Sequence, residues 1–160
     1  MKELKVRCGG FAGIEQKIRN LDGSKVGEFK ETAIYFDTEG RGALKIVQGE
    51  KGARMVLVAY NEENGCFDIA LTPVGEAMGA RRIFNKLFSS LGQVVMEKKV
   101  YVLGREEIWL VHINQLGNFM LIRGEDAERI HELGERLECE FDKIVKEDFG
   151  EMLSGAGKKI

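Results

Sequence analysis

The chain has 160 residues, of which 24 are Lys or Arg and 26 are Asp or Glu, for a net charge of −2. A charge so nearly balanced gives no global field for nucleic acid or an anionic membrane, so any anion site must come from local clustering. No apolar run is long enough to span a bilayer, and the N-terminal MKELKVRCGG lacks the apolar stretch of a secretory signal, so a cytoplasmic protein is expected.

The length suits a single domain over residues 1–160. KELKVRC alternates as a strand, and FAGIEQKIRNL places Phe11, Ile14, Ile18 and Leu21 on one helical face. Four strand-like segments follow at 25–36, 43–47, 53–60 and 66–71, separated by glycine-bearing turns. The spacing predicts a helix over 75–91 that buries Ile83, Phe84, Leu87 and Phe88, with Gly92 as its C-cap. Strands are predicted at 94–103, 106–113 and 118–123, the last two folded about Gln115-Leu116-Gly117-Asn118. A final helix over about 125–138 buries Ala127, Ile130, Leu133 and Leu137. Short turns between strands favour antiparallel pairing. Eight such strands in one domain close or curl to protect their edges. The expected class is therefore α+β, an eight-stranded antiparallel barrel with helices packed outside.

Most local motifs carry no chemistry. Cys8, Cys66 and Cys139 are odd in number and far apart, which leaves neither a disulfide framework nor a Cys-x-x-Cys metal site. GAGKK at 155–159 resembles the end of a phosphate-binding loop, but the first glycine of that motif would fall on Met152 and no helix follows. GRGALK at 40–45 runs into a strand and reads as a hairpin turn. His112 and His131 have no partner at metal-ligand spacing. Lys98 and Lys99 sit in a strand and so face opposite sides. The hairpin WLVHINQLGNFMLIRGED raises a sharper question, since an acidic chain keeps every carboxylate out of it between Glu107 and Glu125.

A pattern along the whole chain resembles the CYTH family of class IV adenylyl cyclases, thiamine triphosphatases and inorganic triphosphatases. MKELK resembles the opening E-x-E-x-K, and ETAIYFDTEGRGALKIV resembles Q-x-D-x-Y-F…G-x-L-K-x-R. VVMEKKVYVL resembles the V-x-K-x-R strand, IWLVHINQLGNFMLIR resembles I-x-L-D-x-V-x-x-L-G-x-F-x-E-x-E, and DFGEML resembles S-Y-x-D-L-L. The resemblance implies an antiparallel triphosphate tunnel in which acids bind divalent metal and bases bind phosphate.

The departures from that pattern account for the acid-free hairpin. The aspartate position is Val111, the two glutamate positions are Leu121 and Arg123, and the first glutamate of the opening motif is Met1. The arginines after Lys45 and Lys98 are Val47 and Val100, and an arginine after the fourth strand is Glu62. Only Glu3, Lys5, Lys45 and Lys98 match. By strand parity Val47, Val100, Val111 and Leu121 all point inward. Acid and base have been withdrawn together, the pattern that a buried ion network tolerates best.

Lys5, Lys45, Lys98 and Arg123 are accordingly the expected anion-binding residues, pointing to one cavity, and Glu3 is the sole remnant of a metal site. The leading expectation is a protein without metal-dependent triphosphate catalysis that binds a small anionic or amphipathic ligand. A working triphosphatase or adenylyl cyclase with an unusual metal set, using Mg or Mn, is the second. A packed, ligand-free structural or interaction protein is the third. No nucleic-acid polymer or membrane partner is expected, and no pattern specifies an oligomeric state.

Overall fold

The computed structural model describes residues 1–155, so the GAGKK stretch lies outside the described residues from its second position on. In chain order the elements are β1 (Lys2–Cys8), α1 (Ala12–Asn20), β2 (Ser24–Phe36), β3 (Ala43–Gly49), β4 (Gly52–Asn61) and β5 (Cys66–Val74). They continue with α2 (Ala77–Leu87), β6 (Ser90–Leu103), β7 (Glu106–Ile113), β8 (Gly117–Gly124), α3 (Ala127–Arg136), a short 3-10 turn over Phe141–Lys143, and α4 (Phe149–Gly155). The eight strands close into one antiparallel barrel in the order β1-β5-β4-β3-β2-β6-β7-β8. The seam that shuts it pairs β1 with β8, from Lys2 opposite Gly124 to Cys8 opposite Asn118.

Strand alternation sorts the side chains into two apolar layers. One fills the barrel interior, where Val47, Val56, Val58, Ile69, Val111 and Leu121 meet Phe67 and Phe119. The other lies between the outer wall and the helices α1 and α3, where Leu4, Ile108, Leu110 and Ile122 pack on Ile18, Ile130, Leu133 and Leu137. Asp126 caps α3 by accepting the Glu128 amide at 2.9 Å. Among the described residues, no helix is long and apolar enough to cross a membrane.

The helix expected over 75–91 needs two corrections. It stops at Leu87, because Ser90 onward is drawn into β6 and pairs with Phe36 of β2. Gly92 is therefore a strand residue with φ +109°, opposite Tyr35 next to a bulge, and caps nothing. The buried face is also narrower than expected. Ala80, Phe84 and Phe88 pack on Ile34, Phe36 and Ile46, with the Phe84 ring edge-on to Phe36 at 5.2 Å. Ile83 and Leu87, one position off that stripe, are 59% and 69% exposed. The other helices lie outside the wall, and α4 sits across one mouth with Phe149 and Leu153 in the interior layer.

Candidate functional site

The barrel interior carries two linked groups of buried charges. Near the mouth covered by α4, the Asp148 carboxylate accepts from Lys5 Nζ at 2.9 Å through Oδ1. Its Oδ2 accepts from Lys45 Nζ at 2.8 Å and from the Tyr35 hydroxyl at 2.7 Å. Lys5 comes from β1, Tyr35 from β2 and Lys45 from β3. Lys5 Nζ also lies 4.1 Å from the centre of the Phe149 ring and 4.5 Å from that of Phe67. Burial alone would raise the Asp148 carboxyl, but Lys45 and Lys5 outweigh it and hold the group well below the usual carboxylate range. Burial, with the Asp148 charge beside it, pushes the Tyr35 phenol well above its ordinary value.

Toward the other mouth, Glu31 of β2 is gripped by both guanidinium nitrogens of Arg54 on β4, at 3.1 and 2.9 Å. Lys98 Nζ on β6 lies 3.0 Å from the same carboxylate. Burial raises the Glu31 carboxyl, yet Arg54 and Lys98 bring it below its ordinary value. Burial lowers the Lys98 ammonium to about 8 against the pull of Glu31. Trp109 of β7 lies beside two cations, its ring centre 3.5 Å from Lys98 Nζ and 3.8 Å from the Arg123 guanidinium carbon. Arg123 of β8 has Nε 3.1 Å from Glu3 Oε2, an ion pair by distance. The N–H is not aimed at that oxygen, and Arg123 Nε is left without a hydrogen-bond partner although it is buried.

All four expected anion-binding residues therefore face inward, but they do not share one cavity. Lys45, Lys98 and Arg123 line a narrow space of about 40 Å³ together with Glu3, Arg54 and Asp148. Lys5 is only 1% exposed, shut off behind Asp148 and Phe149. Val47, Val111 and Leu121 line the same cavity as their parity required, and Val100 borders its outer mouth. That mouth is an open basin of about 220 Å³ between Phe29, Val100 and Trp109, with Lys51, Arg54, Lys98 and Arg123 among its walls. Glu62 is not in the tunnel and pairs with exposed Lys146.

Sequence reasoning missed Arg54, Glu31, Tyr35 and Asp148. Arg54 was within reach, since it shares the inward parity of Val56 and Val58 on β4. Asp148 was not, because no strand or helix period extends to it. Counted together, four buried cations (Lys5, Lys45, Lys98, Arg123) and the partly exposed Arg54 face three buried carboxylates (Glu3, Glu31, Asp148), leaving an excess of two positive charges.

No protein-family model matches the chain, and none of the curated proteins matches it in sequence. Solved structures do resemble it. A protein of Pyrococcus horikoshii OT3 superposes with a TM-score of 0.81 at 20% identity, over 94% of this chain and 98% of that one. A proposed adenylate cyclase of Vibrio parahaemolyticus gives 0.73 at 15% identity, over 95% and 96%. A proposed adenylyl cyclase of Hippeastrum, described as having a dominant triphosphatase activity, gives 0.66 at 14% identity, over 100% and 98%. The fold is CYTH-like. Identities this low establish the barrel and its strand order and leave the site to be judged on its own residues.

The divalent metal implied by a CYTH-like barrel can be tested against those residues. Magnesium is held by one or two carboxylates free to bind it, with substrate oxygens completing the shell. Here Glu3 faces Arg123, Glu31 is clamped by Arg54 and Lys98, and Asp148 is saturated by Lys5, Lys45 and Tyr35. Among the described residues no cluster of three or more His, Cys, Asp or Glu has the geometry of a metal site. These residues do not fit the metal.

Proposed function

We propose that this protein binds a compact oxyanion inside the barrel without metal, and that it does not carry out metal-dependent triphosphate chemistry. The observation that carries the reading is the buried Arg123 Nε, a charged donor that pairs with Glu3 by distance but makes no hydrogen bond, in a cavity lined by two more cations than carboxylates. A buried unpaired donor costs about 1–3 kcal/mol, more when charged, and a phosphate, sulfate or carboxylate oxygen at this point would remove that cost. The ligand enters through the basin beside Phe29 and Trp109, where the aromatic faces offer apolar contact and Arg54, Lys98 and Arg123 the charge. The committed carboxylates support the loss of metal chemistry, since stabilising charge on a transferring phosphoryl group depends on metal ions and free cations together.

The smallness of the cavity favours one second reading, a packed barrel with no ligand. Two measurements decide. With magnesium or manganese present, phosphate release from ATP, thiamine triphosphate or tripolyphosphate stays at background, and so does cyclic AMP formation. With EDTA present, saturating phosphate, sulfate or tripolyphosphate raises the melting temperature, since an anion at a hundred times its Kd adds about 2.7 kcal/mol. Robust metal-dependent turnover abolished by Glu3→Ala overturns the first half. No thermal shift with any of the three anions overturns the second half and leaves the packed barrel.

A further inference from the structure

The group around Asp148 holds more than a structural salt bridge requires. Two ammonium groups and a phenol converge on one carboxylate, and all three donors are buried. Without an anion between them, Lys5 and Lys45 would be left as neighbouring buried cations, so this end of the cavity demands one. The chain provides it from outside the barrel wall. Beyond α3 the polypeptide crosses to β1, where Ile144 makes an isolated bridge to Val6 and the Val145 amide donates to the Lys5 carbonyl at 2.8 Å. From there Asp148 and α4 enter the mouth, and none of residues 145–155 belongs to a strand.

At its inner end the segment makes no strand pairing; side chains hold it, together with the Glu147 carbonyl, which accepts from Lys5 Nζ at 3.2 Å. Phe149 stacks edge-on against Phe119 with centroids 4.9 Å apart, and Leu153 is fully buried. Gly150 lies so close to the Tyr35 ring that an added Cβ would come within 2.5 Å of it. The fit is tight, yet it closes a cavity of only about 40 Å³ that Asp148 itself lines. A ligand longer than a single oxyanion can occupy that space only if Asp148 leaves it.

We infer that Asp148–Leu153 is a displaceable internal plug, in which the Asp148 carboxylate stands in for part of an anionic ligand at Lys5 and Lys45. This regulation rests on the anion-binding reading above. An extended polyanion entering by the basin takes Arg54, Lys98 and Arg123 first, then displaces Asp148 and gains the two lysines. The tethered carboxylate competes at high effective concentration, so apparent affinity is the intrinsic affinity reduced by the fraction of molecules with the plug withdrawn.

The test uses the full chain, tripolyphosphate as probe, EDTA throughout, and titration calorimetry for affinity. Two variants weaken the plug by different means: Asp148→Asn removes its charge at nearly constant shape, and Gly150→Ala pushes it off the Tyr35 ring while keeping the carboxylate. If the plug is withdrawn in about a tenth of molecules or fewer, each variant binds about tenfold tighter or more. In the unmodified protein, tripolyphosphate then speeds amide hydrogen exchange over residues 149–155. Binding that is unchanged or weaker in both variants, with exchange at 149–155 unchanged or slowed, overturns the plug and leaves the anion site standing. No binding by any of the three proteins overturns the anion-binding reading, and the plug with it. Should Asp148→Asn fail to fold, Gly150→Ala and the exchange measurement decide alone.

Discussion

The Glu3–Arg123 pair offers a direct test of how this interior is balanced. Both side chains are buried, at 7% and 8% exposure, and each is the other's nearest opposite charge across the β1–β8 seam. Glu3→Leu leaves the Arg123 guanidinium without its counter-charge, which costs about 3–5 kcal/mol. For a chain of this length each kcal/mol lowers the melting temperature by about 2–4 °C, so the fall is roughly 6–20 °C. Arg123→Leu costs a similar amount and also forfeits the contact with Trp109, worth about 0.5–2 kcal/mol. The double variant leaves no uncompensated charge and adds apolar surface beside Val111 and Leu121. It is expected to be near the parent protein in stability or above it. Urea denaturation of the four proteins, followed by circular dichroism, measures the cycle. A double variant as unstable as the sum of the single changes would refute the reasoning, showing that the two charges are not compensating each other.

Two further outcomes follow from the same geometry. Burial lowers Lys98 to about 8, so oxyanion affinity should fall between about pH 7 and pH 9 as the ammonium loses its proton, and Lys98→Arg should flatten that step in a calorimetric pH series. The sign for stability is opposite: between about pH 8 and the ordinary lysine value of 10.5 the unfolded chain binds the extra proton, so this group's contribution to stability rises with pH. On α2, Ile83→Lys and Leu87→Lys should each stay within about 0.5 kcal/mol of the parent, whereas Phe84→Ala, which empties the contact with Phe36, should cost several times more by chemical denaturation.

The barrel was legible because its signals are local. Period-two alternation and glycine turns mark eight strands, and inward parity follows from counting along each one. That counting placed Lys5, Lys45, Lys98 and Arg123 inside correctly. What it could not supply was pairing between distant positions. Glu31 and Arg54 meet only because β2 extends past the β3–β4 hairpin, and Asp148 reaches Lys5 across 143 residues of sequence. Glu3 and Glu31 lie on strands at inward parity, so counting could reach them; Asp148 alone among the carboxylates that neutralise the interior is invisible to periodicity. The helix expected over 75–91 is present over Ala77–Leu87, but its buried face was not legible: Ile83 and Leu87 are as apolar as Phe84 and Phe88, and packing on Phe36 chose the latter.

One residue at the basin gives the protein an optical property of its own. Trp109 is the chain's sole tryptophan, and Lys98 and Arg123 lie within 4 Å of its ring centre. Indole emission shifts in energy and yield with the charges beside the ring. All tryptophan fluorescence from this molecule therefore originates at the tunnel mouth, undiluted by a second indole elsewhere. Any anion that draws those two cations off the indole changes that emission, so occupancy of the mouth is readable without a label.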